Sequence, residues 1–459
     1  MFDPHFERNY LTDNNGFALC DSEVERYISV LPTENQKAYL KKPFNVFIHF
    51  GMNTATDREW GSAQETAADF NITEVDCHQW VGVIKKSGAT GIILTCKHHD
   101  GFCLWDTKQT DFSVMNTPFG KDIVKLLSDE CKLNGLDFGV YLSPWDMHEK
   151  SYATPEYNDF FCAQLTELLT NYGEIFEVWF DGAKGADAKA FDYDWERYYA
   201  LIRKLQPKAV ISVCGPDVRW VGNEAGKTRK NEFSVVPHSL TETQMTEKNS
   251  QHDTEGKNVK KFNEQTADLG SRTVLKAADK LAWYPAEVDV SIRKGWFWHE
   301  KDNGTVKSAR KLFKIYVGSV GNNCTLLLNV PPARDGRIGP KDAKALAGLG
   351  KKIKRMTEKP ILVQNFGQLK DGVGYLEFNF NSVKKLKYCI ISEDISKSQR
   401  IEKFELYTVT PGGKYRKVYR GSVVGSKKII PMRRRAAGAV LVIRQSRSVP
   451  CIEEIGFYE

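Results

Sequence analysis

The chain contains 459 residues, of which 41% are hydrophobic and 27% are charged, and its formal net charge is +7. Since a chain of this length usually divides, we expect one large domain and one smaller domain. No stretch is apolar for long enough to cross a bilayer, so membrane insertion is not expected. Basic runs occur at residues 351–355 and 433–435, but no nucleic-acid-binding motif accompanies them, so a nucleic-acid partner is not expected either.

The N-terminal residues and the cysteines give indications of the cellular compartment in which the protein occurs. The first residues lack a basic region followed by an apolar core, so no signal peptide is visible, although a chain trimmed at this end would look the same and secretion stays open. None of the ten cysteines forms a Cys-x-x-Cys pair, which predicts neither a zinc site nor a redox site. Several occur within apolar runs, as buried thiols do, and this favours a reducing, cytoplasmic compartment.

From residue 43 onwards, apolar strand-like runs alternate with amphipathic helices. The predicted strands span residues 44–50, 91–96, 138–142, 175–180, 209–213, 280–284 and 325–330. The predicted helices span residues 75–86, 123–133, 154–172, 193–205 and 308–317, with Thr154 and Pro155 as the start signal of the third. This alternation predicts an α/β fold, a (β/α)8-like barrel that is either regular or irregular. No Gly-x-Gly-x-x-Gly motif follows the first strand, so no dinucleotide or other cofactor is expected.

Two later regions depart from the alternating pattern. Residues 226–272 are polar and lysine-rich and are predicted to form a long loop, either a lid, a binding loop or a disordered segment. After residue 350 a short basic helix ends at Pro360, and alternating apolar and polar segments with a turn at residues 411–413 follow. They predict a C-terminal antiparallel β-sandwich. The predicted domains are therefore a barrel over residues 1–350 and a sandwich over residues 351–459.

Polar or ionisable residues stand at the end of nearly every predicted strand. Because the carboxyl ends of barrel strands meet at one face, such side chains would surround a small polar ligand. Taken singly, each has another interpretation: an Asp-Gly pair often caps a loop, and a histidine between phenylalanines is often a core residue. Metal binding is not expected, since adjacent histidines on a strand face opposite ways. The strand-end residues are His49, His98, His99, Tyr141, Trp179, Asp181, Asp217, Glu224, Glu287 and Asp289.

A barrel rich in carboxylates without metal or cofactor motifs is typical of glycosidic bond cleavage. That reaction needs one carboxylate that stays ionised and attacks, and one carboxyl group that donates a proton to the leaving oxygen. Asp181 follows the apolar strand at residues 175–180 and is the predicted nucleophile. The second carboxyl group is one of Asp217, Glu224, Glu287 and Asp289.

At this point the sequence resembles the retaining α-L-fucosidases of glycoside hydrolase family 29. The matching segments are residues 47–51 (Phe-Ile-His-Phe-Gly), 59–61 (Glu-Trp-Gly), 97–102 (Lys-His-His-Asp-Gly-Phe), 139–145 (Gly-Val-Tyr-Leu-Ser-Pro-Trp), 178–182 (Val-Trp-Phe-Asp-Gly) and 327–336 (Leu-Leu-Asn-Val-Pro-Pro-Ala-Arg-Asp-Gly). The resemblance implies a barrel with a C-terminal β-sandwich, and it implies that Asp181 is the nucleophile. The residues that it implies in fucose binding are His49, His98, His99, Tyr141 and Trp179, with Glu59 and Trp60 nearby.

Residues 220–226 and 285–296 resemble the subgroup of this family that prefers branched α-1,3 and α-1,4 fucosides. The resemblance implies that Glu224 is the acid/base. From the second segment we expect Glu287, Arg293 and Trp296 to take part in substrate binding, with Arg293 holding Glu287 and Asp289 ionised. The expected partner is a fucosylated oligosaccharide or glycan. Two rival interpretations are a barrel glycosidase for another sugar, such as an α-galactoside, and a non-catalytic glycan-binding protein on the same scaffold.

Overall fold

The structure is a computed structural model that describes residues 20–185, 191–242, 262–370 and 374–459. The N-terminal residues that bear on a signal peptide lie outside the described residues. So do residues 243–261 of the predicted loop at 226–272. In the rest of that loop the chain forms a short strand, Val235–Pro237, and a 3₁₀ turn, His238–Thr241, so the prediction of a segment without secondary structure is wrong there.

Helices and strands are interspersed up to residue 357, and strands predominate after it. The helices are α1 (Asp21–Ile28), α2 (Glu34–Leu40), α3 (Met52–Thr56), α4 (Cys77–Lys85), α5 (Ile123–Asn134), α6 (Tyr157–Asn171), α7 (Trp195–Leu205), α8 (Arg272–Lys276), α9 (Ala309–Ser319) and α10 (Pro340–Thr357). The strands are β1 (Phe44–Ile48), β2 (Gly91–Lys97), β3 (Asp137–Leu142), β4 (Ile175–Phe180), β5 (Val210–Val213), β6 (Arg219–Trp220), β7 (Val235–Pro237), β8 (Leu281–Trp283), β9 (Ala286–Ser291), β10 (Cys324–Asn329), β11 (Pro360–Gln368), β12 (Tyr375–Glu393), β13 (Ile401–Val409), β14 (Tyr415–Gly421), β15 (Lys428–Ser446) and β16 (Cys451–Tyr458).

Eight parallel strands form the barrel, in the order β5-β4-β3-β2-β1-β10-β9-β6. A parallel bridge between Ser212 and Val218 joins the two end strands, with the Val213 amide donating to the Val218 carbonyl at 2.9 Å. All these strands point their carboxyl ends to the same face, which is where barrel enzymes carry their chemistry. The predicted (β/α)8-like barrel is confirmed.

One barrel strand differs from the prediction. The run at residues 280–284 contains β8, which pairs with β7 in a separate two-stranded antiparallel sheet. The barrel strand is β9, paired with β10 and β6. Its Val288 and Val290 belong to the apolar core, whereas Glu287 and Asp289, which alternate with them, point to the interior of the barrel. Both acids therefore lie within a strand and not in the loop after one.

The apolar core fills the layer between the barrel strands and the surrounding helices. Helix α9 packs on α10, α10 on α4, and α4 on α5. Inside the barrel, a smaller cluster of alternating strand residues forms the floor beneath the strand ends: Phe47, Ile93, Tyr141, Trp179, Val213 and Leu327. The third predicted helix begins at Tyr157, after a turn, so the expected start at Thr154 and Pro155 is three residues too early.

The C-terminal strands form one antiparallel sheet in the order β11-β16-β12-β15-β13-β14. The 19-residue strands β12 and β15 shift register between Asn379 and Lys384, so that the sheet folds over itself. Phe378 in the first half of β12 contacts Phe457 of β16, which pairs only with the second half. The predicted C-terminal sandwich is thereby confirmed. Helix α10 runs across residue 350, and the sheet begins at Pro360. Among the described residues, no helix is long and apolar enough to span a membrane.

Candidate active site

A cavity of about 180 Å³ opens at the carboxyl ends of the barrel strands. Its volume is smaller than the roughly 300–1,000 Å³ of pockets for drug-sized ligands, so it has room for one sugar ring and not for a chain. Larger depressions occur elsewhere on the surface, but this one gathers the strand-end residues. The lining residues are Phe47, His49, Trp60, His98, His99, Trp179, Asp181, Ala183, Glu224, Asp289 and Trp296.

Asp181 follows β4 directly, and its side chain is 24% exposed in the cavity. The hydroxyl of Tyr141 donates to Oδ2 at 3.2 Å, and the backbone N–H of Ala183 donates to Oδ1 at 2.8 Å. The Nε2 atom of His99 lies 3.8 Å from Oδ2. Donors on both oxygens fix the orientation of the carboxyl group. Asp181 is thus an accessible carboxylate held at the end of a rigid strand.

Glu224 lies in the loop after β6, at the exposed rim of the same cavity. The indole N–H of Trp296 donates to its Oε2 at 3.1 Å. Although much of the residue is accessible, the surrounding protein removes part of its hydration, and this burial raises the pKa of the Glu224 carboxyl above its ordinary value. The Trp296 N–H opposes the rise, and the charges of Asp181 and Glu59 add to it. The two carboxyl groups therefore occupy different environments around one cavity.

Asp289 is a third carboxyl group in the lining. It is 4% exposed and accepts a hydrogen bond from the indole N–H of Trp220 at 2.9 Å. Burial raises the pKa of Asp289 well above its ordinary value, and the nearby charge of Glu224 raises it further. Its surroundings favour the protonated form, as those of an acid do.

Three buried histidines line one side of the cavity in neutral form. Burial lowers the pKa of His49 to about 3, and it also lowers the pKa values of His98 and His99. The Nδ1 of His49 faces the amide oxygen of Asn329 at 2.9 Å, so this nitrogen carries the proton and Nε2 is left as an acceptor. The amide nitrogen of Asn53 donates to Nδ1 of His98 at 3.3 Å, which leaves Nε2–H of His98 as a donor. Such a pair can hold hydroxyl groups, which both donate and accept.

His98 and His99 both reach the cavity, which corrects the expectation that they face opposite ways. Strand β2 ends at Lys97, so the two residues lie in the turn after it, and their ring centroids are only 4.0 Å apart. Nδ1 of His99 is 2.8 Å from the hydroxyl oxygen of Ser143. Within the described part of the chain, no group of three or more His, Cys, Asp and Glu side chains is arranged to hold a metal ion.

Aromatic rings form the remaining walls. Trp60 is 54% exposed and contacts the edges of His99 and Trp145. Trp296 lies beside His49, with 5.0 Å between ring centroids. Glu59 does not line the cavity. Instead it accepts the Trp296 backbone N–H at 2.9 Å and pairs with His299 at 2.7 Å, so it positions the loop that carries Trp296.

Glu287 lies beneath the cavity and not in its wall. Its Oε1 accepts the indole N–H of Trp179 at 2.8 Å, and its Oε2 accepts the hydroxyl of Tyr39. Glu177, fully buried on β4, neighbours it, and burial raises the pKa values of both carboxyl groups. Glu287 therefore orients Trp179 from below, and the structure places it out of reach of a ligand in the cavity.

Two further expectations differ from the structure. Arg293 does not hold Glu287 or Asp289 ionised: its guanidinium forms a buried ion pair with Asp342 of α10, with contacts of 2.6 and 3.0 Å. Asp217, a candidate acid, is held by Arg203 at 2.6 Å and by the Ile211 backbone N–H, away from the lining. Arg293 and its partner are 49 residues apart, and Asp217 and its partner are 14 residues apart.

Sequence reasoning missed the residues that orient the lining. Asn329 ends β10 and donates to the Trp296 carbonyl at 2.7 Å while it accepts from His49. Asn53 on α3 links His98 to Asp100. An asparagine at the end of an apolar run, as in Leu-Leu-Asn-Val, was the one available signal. Asn53 has no comparable pattern around it.

Comparisons with known proteins bear on this site. A family model described as alpha-L-fucosidase matches residues 29–358. Alpha-L-fucosidase 1 of Arabidopsis thaliana is 36% identical over 475 residues, which cover 93% of this chain and 87% of that protein. A putative alpha-L-fucosidase 1 of Oryza sativa is 40% identical over 325 residues, 69% of this chain and 57% of the rice protein.

Solved structures give the same result for the whole architecture. A putative alpha-L-fucosidase from Bacteroides ovatus superposes with a TM-score of 0.86 at 38% identity, over 98% of this chain and 78% of that one. A glycoside hydrolase family 29 fucosidase from Ruminococcus gnavus, solved in complex with fucose, has a TM-score of 0.79 at 28% identity, over 94% of this chain and 95% of that one. The similarity covers both the barrel and the C-terminal sheet.

Proposed function

Because this chain belongs to the α-L-fucosidase family, glycoside hydrolase family 29, and is an α-L-fucosidase, we propose that it releases terminal fucose with retention of configuration, in two displacements at Asp181 and Glu224. The observation that carries the proposal is the pair of carboxyl groups in unlike environments around one cavity of monosaccharide size. Family membership also sets aside an α-galactosidase and a non-catalytic glycan-binding protein.

In the first displacement, Asp181 attacks the anomeric carbon and forms a covalent fucosyl-enzyme. Its position at the end of β4, with donors on both oxygens, supports this role because a nucleophile has to be accessible and correctly aligned. The Tyr141 hydroxyl can remain bonded to Oδ2 while the other oxygen reacts. His99, 3.8 Å away, is neutral and does not neutralise the carboxylate by forming a full ion pair.

Glu224 protonates the leaving oxygen and then removes a proton from the incoming water. The raised pKa of its carboxyl supports the acid role, because a larger fraction is protonated at neutral pH than for an ordinary glutamate. Once the fucosyl bond has formed, Asp181 no longer carries a charge. The pKa of Glu224 then falls, which suits the same group to act as a base in the second displacement.

Asp289 is the alternative acid, because it lines the same cavity and its pKa is raised further from the ordinary value. Its hydrogen bond from Trp220 and its nearly complete burial favour a role in holding the sugar. Glu224 is at the rim, where a leaving group has to depart. Glu224→Ala with added azide separates the two: rescue of turnover by azide in this variant, and none in Asp289→Ala, supports Glu224. The opposite pattern exchanges their roles.

The fucose hydroxyls are held by His49, His98, His99 and Tyr141, and the apolar rings of Trp179 and Trp296 face the C6 methyl group. The two histidines with fixed tautomers, one an acceptor and one a donor, support this arrangement. Trp60, exposed at the opening, contacts the part of the glycan next to the fucose.

We further propose a preference for α-1,3 and α-1,4 fucose in branched glycans over linear α-1,2 fucose. Residues 220–226 and 285–296, which resemble the branch-preferring subgroup, meet at this rim: Trp296 donates to Glu224, and Trp220 donates to Asp289. A branching sugar bound outside the cavity would align the leaving group. Rates of fucose release from Lewis-type trisaccharides and from 2′-fucosyllactose test this, and equal rates would contradict it.

Retention is tested on the first product formed. Proton NMR within the first turnovers on an aryl α-L-fucoside should show α-L-fucose before mutarotation produces the β anomer. If the β anomer comes first, the reaction inverts and the two-displacement proposal fails, while the fucosidase activity stands.

A further inference from the structure

A second, larger concave surface lies on the outside of the barrel, where it meets the C-terminal sheet. This groove, of about 720 Å³, runs between helices α9 and α10 and strands β12 and β15. The barrel side contributes Arg310, Lys314 and Lys352. The sheet side contributes Lys385, Lys387 and the arginine run at residues 433–435. We call this surface the basic groove.

The basic groove concentrates positive charge without compensation. Its eight cationic residues are all exposed, and none forms an ion pair with any residue that the structure describes. The described lining contains no acidic side chain. The eight charges exceed the formal +7 of the whole chain, so the rest of the molecule is close to neutral. Eight cations in a lining without an acidic side chain give this groove a strongly positive local charge.

The placement of these charges costs stability in the free protein. Arg310 and Lys314 are four residues apart on α9, where like charges repel and a Glu–Lys pair would stabilise the helix. Lys385 stands directly opposite Arg435 in the antiparallel pairing of β12 with β15, where like charges are also unfavourable. A bound anion relieves both repulsions.

The floor of the basic groove is apolar and aromatic. Phe313 and Tyr388 meet edge to face with 6.3 Å between ring centroids, and Val317 and Pro431 lie beside them. Flat apolar surface surrounded by cations suits a ligand whose rings carry charged substituents at intervals, as the sugar rings of sulfated or uronic-acid polysaccharides do.

We propose that the basic groove binds an anionic polysaccharide. The partner is taken to be a glycan because the same chain is an α-L-fucosidase, whose substrates are glycans, and the choice of partner rests on that activity. A second copy of this chain is a poor occupant, since two surfaces with the same positive charge repel each other. The proposal does not depend on whether Asp181 and Glu224 act as assigned.

The test measures binding of the full-length protein to size-fractionated polygalacturonate and dextran sulfate, with neutral dextran and single-stranded DNA as competitors. The groove variant combines Lys314→Gln, Lys387→Gln and Arg435→Gln. The matched control combines Lys86→Gln, Lys132→Gln and Lys204→Gln, three exposed lysines outside the groove. Both variants lose three positive charges, and both should hydrolyse an aryl fucoside as the wild type does.

At 150 mM NaCl we expect the wild type and the control to bind at least one of the two acidic polymers with dissociation constants within twofold of each other. The groove variant should bind at least tenfold more weakly, with a shallower dependence on salt, because fewer counterions are released. Any of four results overturns the proposal: no binding of the wild type to either polymer, equal loss in both variants, equal competition by neutral dextran, or tighter binding of DNA than of the polysaccharides.

Discussion

Gly222→Ala tests whether the loop after β6 has to hold Glu224 where it lies. Gly222 has a φ of +100°, and a Cβ atom there would lie 2.5 Å from the Glu264 carbonyl oxygen, a contact with backbone that cannot rotate away. Since Cβ contacts below 3.0 Å essentially do not occur, one of the two segments must move by at least half an ångström. The glutamate two residues later then moves with the loop.

The expected loss follows from that displacement. A misplacement of about 1 Å at a catalytic group can cost about 100-fold in rate, so half of that should reduce kcat/KM on a fucosylated oligosaccharide about tenfold. An aryl fucoside with a good leaving group needs little proton donation and should lose much less. Alanine at a positive φ should also lower the free energy of unfolding by roughly 1–3 kcal/mol.

Gly226→Ala is the matched control, because Gly226 lies in the same loop at a φ of +71°. Its Cβ would be 3.2–3.4 Å from the side chains of Ile315 and Val290, which can yield. The control should lose similar stability and keep its oligosaccharide activity. The reasoning is refuted if Gly222→Ala keeps kcat/KM within threefold of the wild type, or if both variants lose activity equally on both substrates.

Three further changes have expected outcomes. Asp181→Asn should reduce turnover by several orders of magnitude. Its thermal unfolding midpoint should stay within a few degrees of the wild-type value, since this carboxylate is accessible and has no full ion pair. Near-normal turnover would show that Asp181 is not the nucleophile. His49→Gln should raise KM without moving either limb of the pH–rate profile, because the His49 pKa of about 3 keeps the ring neutral above that pH. A shifted limb would show that His49 titrates during catalysis. Asp342→Asn breaks the buried ion pair with Arg293, so it should lower the free energy of unfolding by about 3–5 kcal/mol in denaturant titrations. The kcat/KM of the folded enzyme should not change. A rise in KM without loss of stability would indicate that Arg293 does take part in substrate binding.

The pH dependence of kcat/KM has a definite direction at its upper limb. The proposed acid, Glu224, must be protonated to act, so we expect activity to fall as the pH rises through the pKa of its carboxyl group. Burial raises that pKa, and the falling limb therefore lies above the range of an ordinary exposed glutamate.

Much of the barrel could be predicted because its strands are apolar on both faces and separated by amphipathic helices. Strand β9 escaped this pattern for a physical reason. Its outward residues, Val288 and Val290, pack in the apolar core. Of its inward residues, Asp289 lines the cavity and Glu287 lies beneath it. An acidic residue at every second position is typical of a loop or a surface strand. The nearby run that contains β8 is less acidic and fits the pattern of a barrel strand better.

The site was predictable where side chains follow strands and much less so where one side chain positions another. Asp181 and the three histidines stand next to apolar runs, so the topology alone brings them together. The partner of Arg293 is 49 residues away on α10, and Asn329 reaches His49 across 280 positions. Such pairs depend on how distant segments of the chain pack against each other. Neither the hydrophobic periodicity nor the local spacing of residues predicts that packing.

The most direct measurement of the central claim is the identity of the residue that becomes covalently bonded to the sugar. A 2-deoxy-2-fluoro fucosyl fluoride should form the intermediate through its good leaving group and hydrolyse slowly, because the fluorine destabilises the second transition state. Peptide mass spectrometry of the inactivated enzyme should then find one fluorofucosyl group on Asp181. An adduct on another residue, or continued turnover by inversion with no adduct, would contradict the account.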